Sequence, residues 1–130
     1  MRKIDIIVVH CSASDVQGHD NVAVIKEWHL ERGFSDIGYH YIITKDGDIH
    51  VGRPLHISGA HCRGYNARSI GICLTGNEEF SDEQFKSLRE LVNDLIIQFG
   101  LERKDVVPHN ALNSHKTCPN FDLTEALDER

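Results

Sequence analysis

The sequence predicts an α/β fold, a single domain with a central mixed β-sheet of about five strands flanked by helices. Three observations carry this prediction. Apolar, β-branched runs alternate along the chain with stretches of helical periodicity. Two of the runs are joined through Asp46-Gly47, the signature of a tight antiparallel hairpin, so the sheet is mixed. A length of 130 residues leaves no room for two cores of useful size, so residues 1–130 read as one domain.

Each element has a local reason. Ile4 to Val9 is apolar and β-branched apart from Asp5, as a strand buried on both faces requires. Asp20 or Asn21 then caps a helix from about Val22 to Arg32, with Val22, Ile25 and Trp28 facing inward and Gly33 as its terminator. The hairpin runs Tyr39 to Thr44, turns at Lys45 to Asp48, and returns through Ile49 to Val51. Gly59 to Asn66 has little periodicity and reads as a loop. Ser69 to Leu74 is a compact apolar strand, and Gly71 within it invites close backbone approach. Ser81-Asp82-Glu83-Gln84 is a capping box that opens a long helix to Phe99, ended by Gly100. Its Phe85, Leu88, Val92, Leu95, Ile96 and Phe99 fall at helical spacing. Asp105 to Val107 forms a short strand, Asn110 to Pro119 a loop, and Asp122 to Leu127 a final helix. There is no linker, internal repeat or low-complexity tract.

Composition removes several function classes. Hydrophobic residues make up 40% and charged residues 26%, which is ordinary for a globular chain and excludes disorder and collagen-like repeats. The 14 Lys and Arg against 20 Asp and Glu leave a formal charge of −6, so no basic footprint exists for a nucleic acid backbone. No run approaches the roughly 20 apolar residues of a membrane span. The basic start Met1-Arg2-Lys3 is followed by a stretch that Asp5 interrupts, short of the roughly 7–15 apolar residues of a secretory core. Synthesis in the cytoplasm without a signal peptide is therefore expected. Four cysteines without a CxxC pair argue against a zinc ribbon, a thioredoxin-type motif and a disulfide scaffold alike.

The unusual feature is nine histidines beside four cysteines. His10 ends the first strand, His109 follows the last, and Cys118 lies nine positions further on. Two imidazoles and a thiolate suit Zn²⁺, and three protein ligands leave a tetrahedral position for water. Spacing alone equally allows a strand-end histidine, a loop histidine and a small apolar filler. Cys11 and Cys73 read as core residues, because neighbours in a strand point to opposite faces. His19, His29, His50 and His56 sit in surface-like contexts, and His40 reads as either a partner of the site or a buried, hydrogen-bonded histidine. Neither HExxH nor GxxxxGK[ST] occurs. Ser69 lacks the first glycine of a nucleophile elbow and begins a strand, so a serine hydrolase is disfavoured. The acidic residues sit on capping turns and helix surfaces, which leaves a glycosidase carboxylate pair weakly supported.

Laid end to end, four motifs resemble the zinc-dependent N-acetylmuramoyl-L-alanine amidases, the family of amidase-type phage lysozymes and peptidoglycan-recognition proteins. They are Val8-Val9-His10-Cys11-Ser12-Ala13; Gly38-Tyr39-His40-Tyr41-Ile42-Ile43; His61-Cys62-Arg63-Gly64-Tyr65-Asn66 with Ser69-Ile70-Gly71-Ile72; and Lys116-Thr117-Cys118-Pro119. The similarity spans roughly Asp5 to Leu123 in the same order, with ordinary gaps. It implies that His10, His109 and Cys118 hold one Zn²⁺ and that Tyr39 and Lys116 are catalytic. His61 and Asn66 are implied in the substrate groove, although Asn66 equally suits a turn-fixing role. The stretch from His109 to Cys118 is one residue longer than in phage members, and His115 beside Lys116 offers an alternative ligand alignment.

The resemblance further implies cleavage of the amide between the muramic acid lactyl group and L-alanine of the stem peptide. Lys116 and Tyr39 would stabilise the developing oxyanion, and Tyr39, or a water held by it, is the first candidate for the general base. Arg63 and Arg68 would add positive charge near substrate carboxylates. The expected partner is bacterial peptidoglycan or its muropeptides, the expected state a monomer, and the expected role a phage or prophage endolysin that reaches the cell wall by holin-type or other signal-independent release. The competing readings are a non-catalytic peptidoglycan-binding module, disfavoured by the retained Tyr39, Lys116 and Cys118, and a zinc-stabilised interaction protein without affinity for the wall.

Overall fold

A computed structural model describes residues 1–128. In chain order the elements are β1 (Ile6–Cys11), α1 (Val22–Glu31), β2 (Tyr41–Ile43), β3 (Ile49–Val51), β4 (Ser69–Leu74), α2 (Asp82–Phe99), β5 (Val106–Pro108) and α3 (Leu123–Asp128). The strands form one mixed sheet in the order β3-β2-β4-β1-β5. β1 pairs in parallel with both β4 and β5, β2 pairs in parallel with β4, and the β2–β3 hairpin is antiparallel. Fold class, strand number and the hairpin agree with the sequence prediction.

Register divides the sheet into two faces. His10 stands opposite Cys73, which stands opposite Ile42, so these three side chains share a face. Ile7, Val9, Ile43, Ile70, Ile72 and Leu74 belong to the other face, in a core closed by Leu88, Leu91, Val92 and Leu95 of α2. The α2 helix begins as its capping box demands. Ser81 Oγ accepts the Gln84 N–H at 3.1 Å and Gln84 Oε1 accepts the Ser81 N–H at 2.9 Å. The same Gln84 is fully buried and its Nε2 donates to the Ile43 and Thr75 carbonyls, so one side chain starts a helix and ties it to the sheet. Gly100 ends α2 at φ 64°, a left-handed conformation natural to glycine.

The face carrying His10 is covered by α1, where Ile25, Ile37 and Ile42 form a smaller core with Val22, Trp28 and Tyr39 packed against it. Asn21 is the cap, its side chain accepting the Ala23 N–H at 2.8 Å. Asp20 instead accepts from the Lys45 N–H and the Thr75 hydroxyl. His29 departs from the surface position expected of it. It is 6% exposed, because its Nδ1 accepts the Gly38 N–H at 2.8 Å and its ring packs near Phe34 and Tyr39. The stripe of α1 therefore includes a histidine, which an apolar periodicity cannot register.

Candidate metal and catalytic centre

Because β1 and β5 run side by side in parallel, the residues leaving their C-terminal ends emerge together. Val9 stands opposite Pro108, and the next residues, His10 and His109, bring their rings to 4.4 Å between centroids. Open sheets hold ligands at such carboxyl ends, where strand order lets loops diverge. Cys118 is led back to this point by its own backbone, its carbonyl accepting the Asn110 N–H at 2.9 Å. The Cys11 N–H then donates to Cys118 Sγ at 2.8 Å. The result is a cluster of His10, His109 and Cys118 whose ligand atoms all lie within 4.8 Å of one another.

The donor set suits a single borderline-soft cation. His10 is 1% exposed, and burial, followed by the neighbouring imidazoles of His61 and His109, holds its pKa well below the ordinary histidine value. Burial, with help from the Lys116 ammonium, lowers that of His109. Both imidazoles are therefore neutral at physiological pH and hold lone pairs available for coordination. His115 is exposed on the rim and stands outside this cluster.

Cys11 is buried, as the alternation of a strand predicts, yet it is not remote from the site. The chain leaves β1 at this residue, and its thiol and its N–H both reach Cys118. The two thiols titrate as a pair, since the first thiolate formed is hydrogen-bonded by its neighbour and opposes the second. No feature of the sequence marks this contact, which joins positions 107 apart.

Tyr39 borders the same cavity, its ring 5.1 Å from that of His10. Its hydroxyl is hydrogen-bonded with the Cys73 thiol, and burial raises its pKa well above the usual phenol value. It is thus an O–H donor at neutral pH. Lys116 is exposed at the rim, close enough to His109 to act on its titration. A cavity of about 820 Å³ opens over the cluster, with Trp28, Arg32 and Phe34 toward α1 and Arg63, Asn66 and Lys116 on the loop side. Arg68 is engaged elsewhere, paired with Asp5 at 3.3 Å and stacked over Tyr65.

The remaining sequence candidates are tied into the fold. Asn66 Oδ1 accepts the backbone N–H groups of both His61 and Cys62 at 2.9 Å, closing the loop between them. His61 reaches His10 and Ser69 with its two ring nitrogens. His40 is fully buried, its Nδ1 accepting the Gly71 N–H and its Nε2 lying 2.9 Å from the Ile57 carbonyl.

Two imidazoles and a thiol at the ends of parallel strands, open to a groove with an adjoining phenol and ammonium, form a donor set able to hold one metal ion. Residues 1–121 match the family model of N-acetylmuramoyl-L-alanine amidase, and the chain belongs to that family. Among its relatives is the endolysin of Klebsiella phage KP32, 39% identical over 129 residues, a match covering 90% of this chain and 81% of that protein. The endolysin of Escherichia phage T7 is 39% identical over 127 residues, covering 92% and 82%. The N-acetylmuramoyl-L-alanine amidase LysC from Clostridium intestinale URNW superposes with a TM-score of 0.86 at 35% identity, over 96% of this chain and 83% of that one. Drosophila PGRP-LB superposes with a TM-score of 0.76 at 25% identity, over 92% and 76%.

Proposed function

We propose that residues 1–130 form a zinc-dependent N-acetylmuramoyl-L-alanine amidase domain. It acts as a monomeric endolysin on the bacterial cell wall, cleaving the amide between the muramic acid lactyl group and L-alanine of the stem peptide. The observation that carries this reading is the convergence of His10, His109 and Cys118 within 4.8 Å, beneath a cavity that also borders Tyr39 and Lys116. The endolysin relatives and the amidase family model support the reaction class.

In this reading His10, His109 and Cys118 hold one Zn²⁺, which when bound polarises a carbonyl and lowers the pKa of water toward ~7. The other steps belong to the chain's own side chains. Lys116, exposed at the rim on a four-carbon stem, presents an ammonium to the carbonyl oxygen as negative charge develops there. Tyr39, kept protonated by burial, offers a phenol O–H beside His10. The wall formed by Trp28 and Phe34 excludes water from one side of the scissile amide, and Arg63 places positive charge near the substrate carboxylates.

The test is digestion of purified peptidoglycan by the Zn²⁺-loaded protein beside a chelated control, with products read by mass spectrometry. Free stem peptides beginning at L-alanine, released only with Zn²⁺, are expected. Intact wall that nevertheless retains the protein would replace the amidase reading with a binding module.

A further inference from the structure

His61 is held from every side, although it borders the cavity. Its backbone is fixed by Asn66. Its Nδ1 lies 2.8 Å from His10 Nε2, and its Nε2 lies 3.0 Å from Ser69 Oγ. Two glycines make room for the ring. A Cβ on Gly71 would stand 2.6 Å from His61 Cγ and Cδ2, and one on Gly59 would stand 2.5 Å from Cδ2. Both ring nitrogens are committed to protein partners, and the chain of contacts runs from His10 away from the cavity toward the start of β4.

We infer that His61 is a positioning residue that holds His10 in a single tautomer, with the proton on Nε2 and the lone pair of Nδ1 directed to the metal. The inference rests on the proposed metal reading. A neutral imidazole has one donor and one acceptor nitrogen, and the His10–His61 contact uses His10 Nε2 whichever ring supplies the proton. If His61 donated, the proton of His10 would sit on Nδ1 and no lone pair would remain for an ion. If His10 donates, Nδ1 is free, His61 Nδ1 accepts, and His61 Nε2–H donates to Ser69 Oγ. His10 Nε2 and both ring nitrogens of His61 then have a partner. Metal-binding histidines are commonly oriented through the second ring nitrogen, and loss of that partner typically weakens metal affinity ~10–100-fold. Here the partner is itself an imidazole, locked by a serine and seated against two glycines.

The experiment uses the whole chain in two measurements. Long-range ¹H–¹⁵N correlation of the histidine rings in the metal-free parental protein at neutral pH reports the His10 tautomer directly. Competition with a chromophoric chelator, using Zn²⁺ alone, reports affinity for the parent and for His61→Ala and His61→Asn. The expected results are an Nε2–H tautomer for His10, a loss of about 10–100-fold in Zn²⁺ affinity in His61→Ala, and recovery of most of that loss in His61→Asn, whose Oδ1 takes the place of the accepting Nδ1. An Nδ1–H tautomer in the parent, or a His61→Ala protein with parental affinity, overturns the inference. A parental protein that takes up no Zn²⁺ overturns the metal reading instead, and the tautomer measurement tells the two failures apart.

Discussion

Gly71 lies directly beneath the imidazole of His61, so close that a Cβ at position 71 would stand 2.6 Å from the ring carbons. The glycine in the middle of a buried strand is therefore a seat for a side chain from a loop. Gly71→Ala is expected to cost about 1–3 kcal/mol through overpacking, with lowered Zn²⁺ affinity in the same variant. Urea unfolding and a chelator competition measure the two effects. Parental values in both would show that His61 has room to move.

Cys118→Ala and Lys116→Ala separate binding from turnover. Removing the thiol is expected to abolish Zn²⁺ uptake and amidase activity together, because two imidazoles alone form an incomplete site. Lys116→Ala is expected to keep Zn²⁺ and lose ~10²–10³-fold in rate, the usual effect of deleting one oxyanion donor. Wall clearance at the parental rate by Lys116→Ala would remove lysine from the mechanism.

Tyr39→Phe keeps the ring against His10 and the Ile25, Ile37 and Ile42 cluster while deleting the hydroxyl. The expected outcome is a stability loss of no more than about 0.5–1.5 kcal/mol from the lost contact with Cys73, unchanged Zn²⁺ uptake and a rate lower by ~10²–10³-fold. A variant that clears the wall normally would confine Tyr39 to packing.

Gln84 is the buried polar residue on which α2 and the sheet both depend, its Nε2 serving the Ile43 and Thr75 carbonyls. Gln84→Leu fills similar volume but leaves the Thr75 carbonyl and the Ser81 N–H without their Gln84 partner, while the Ile43 carbonyl keeps the Thr75 N–H. The expected loss is about 1–3 kcal/mol per unsatisfied group. A fall in the urea midpoint at constant slope would express it, and an unchanged midpoint would refute it.

Acid should weaken the fold through its buried imidazoles. Burial holds His29 and His40 to pKa values of about 4, against about 6.5 for an unperturbed imidazole. Between those values the unfolded chain binds more protons than the native one, so stability rises with pH across the window and is lost as pH falls through it. The urea midpoint is expected to be lower at pH 5 than at pH 7. An equal or higher midpoint at pH 5 would mean that these imidazoles are protonated in the fold.

Much of the architecture is local information and was legible without coordinates. The capping box at Ser81, the Asp46-Gly47 turn and the stripe of α2 each depend on residues within a few positions of one another, and each stands where predicted. Strand limits shifted by one or two residues, as in β1 starting at Ile6, because pairing partners set the ends of a strand. His29 escaped because a buried histidine satisfied by a backbone N–H carries no periodic apolar signal.

By itself, the sequence determined the class of sheet and the helices, and through four motifs in order it named candidates for a metal and for catalysis. The tertiary structure alone decided which of them meet. His10 and Cys118 are 108 positions apart, and their approach depends on β5 lying beside β1 and on a loop turned back by one backbone hydrogen bond. The same is true of the Cys11–Cys118 contact and of the commitment of both His61 nitrogens to protein partners. Hydrophobic periodicity reports which face of an element is buried, whereas hydrogen-bond partners and ligand distances depend on how non-adjacent strands are ordered and registered, and no local pattern encodes that order.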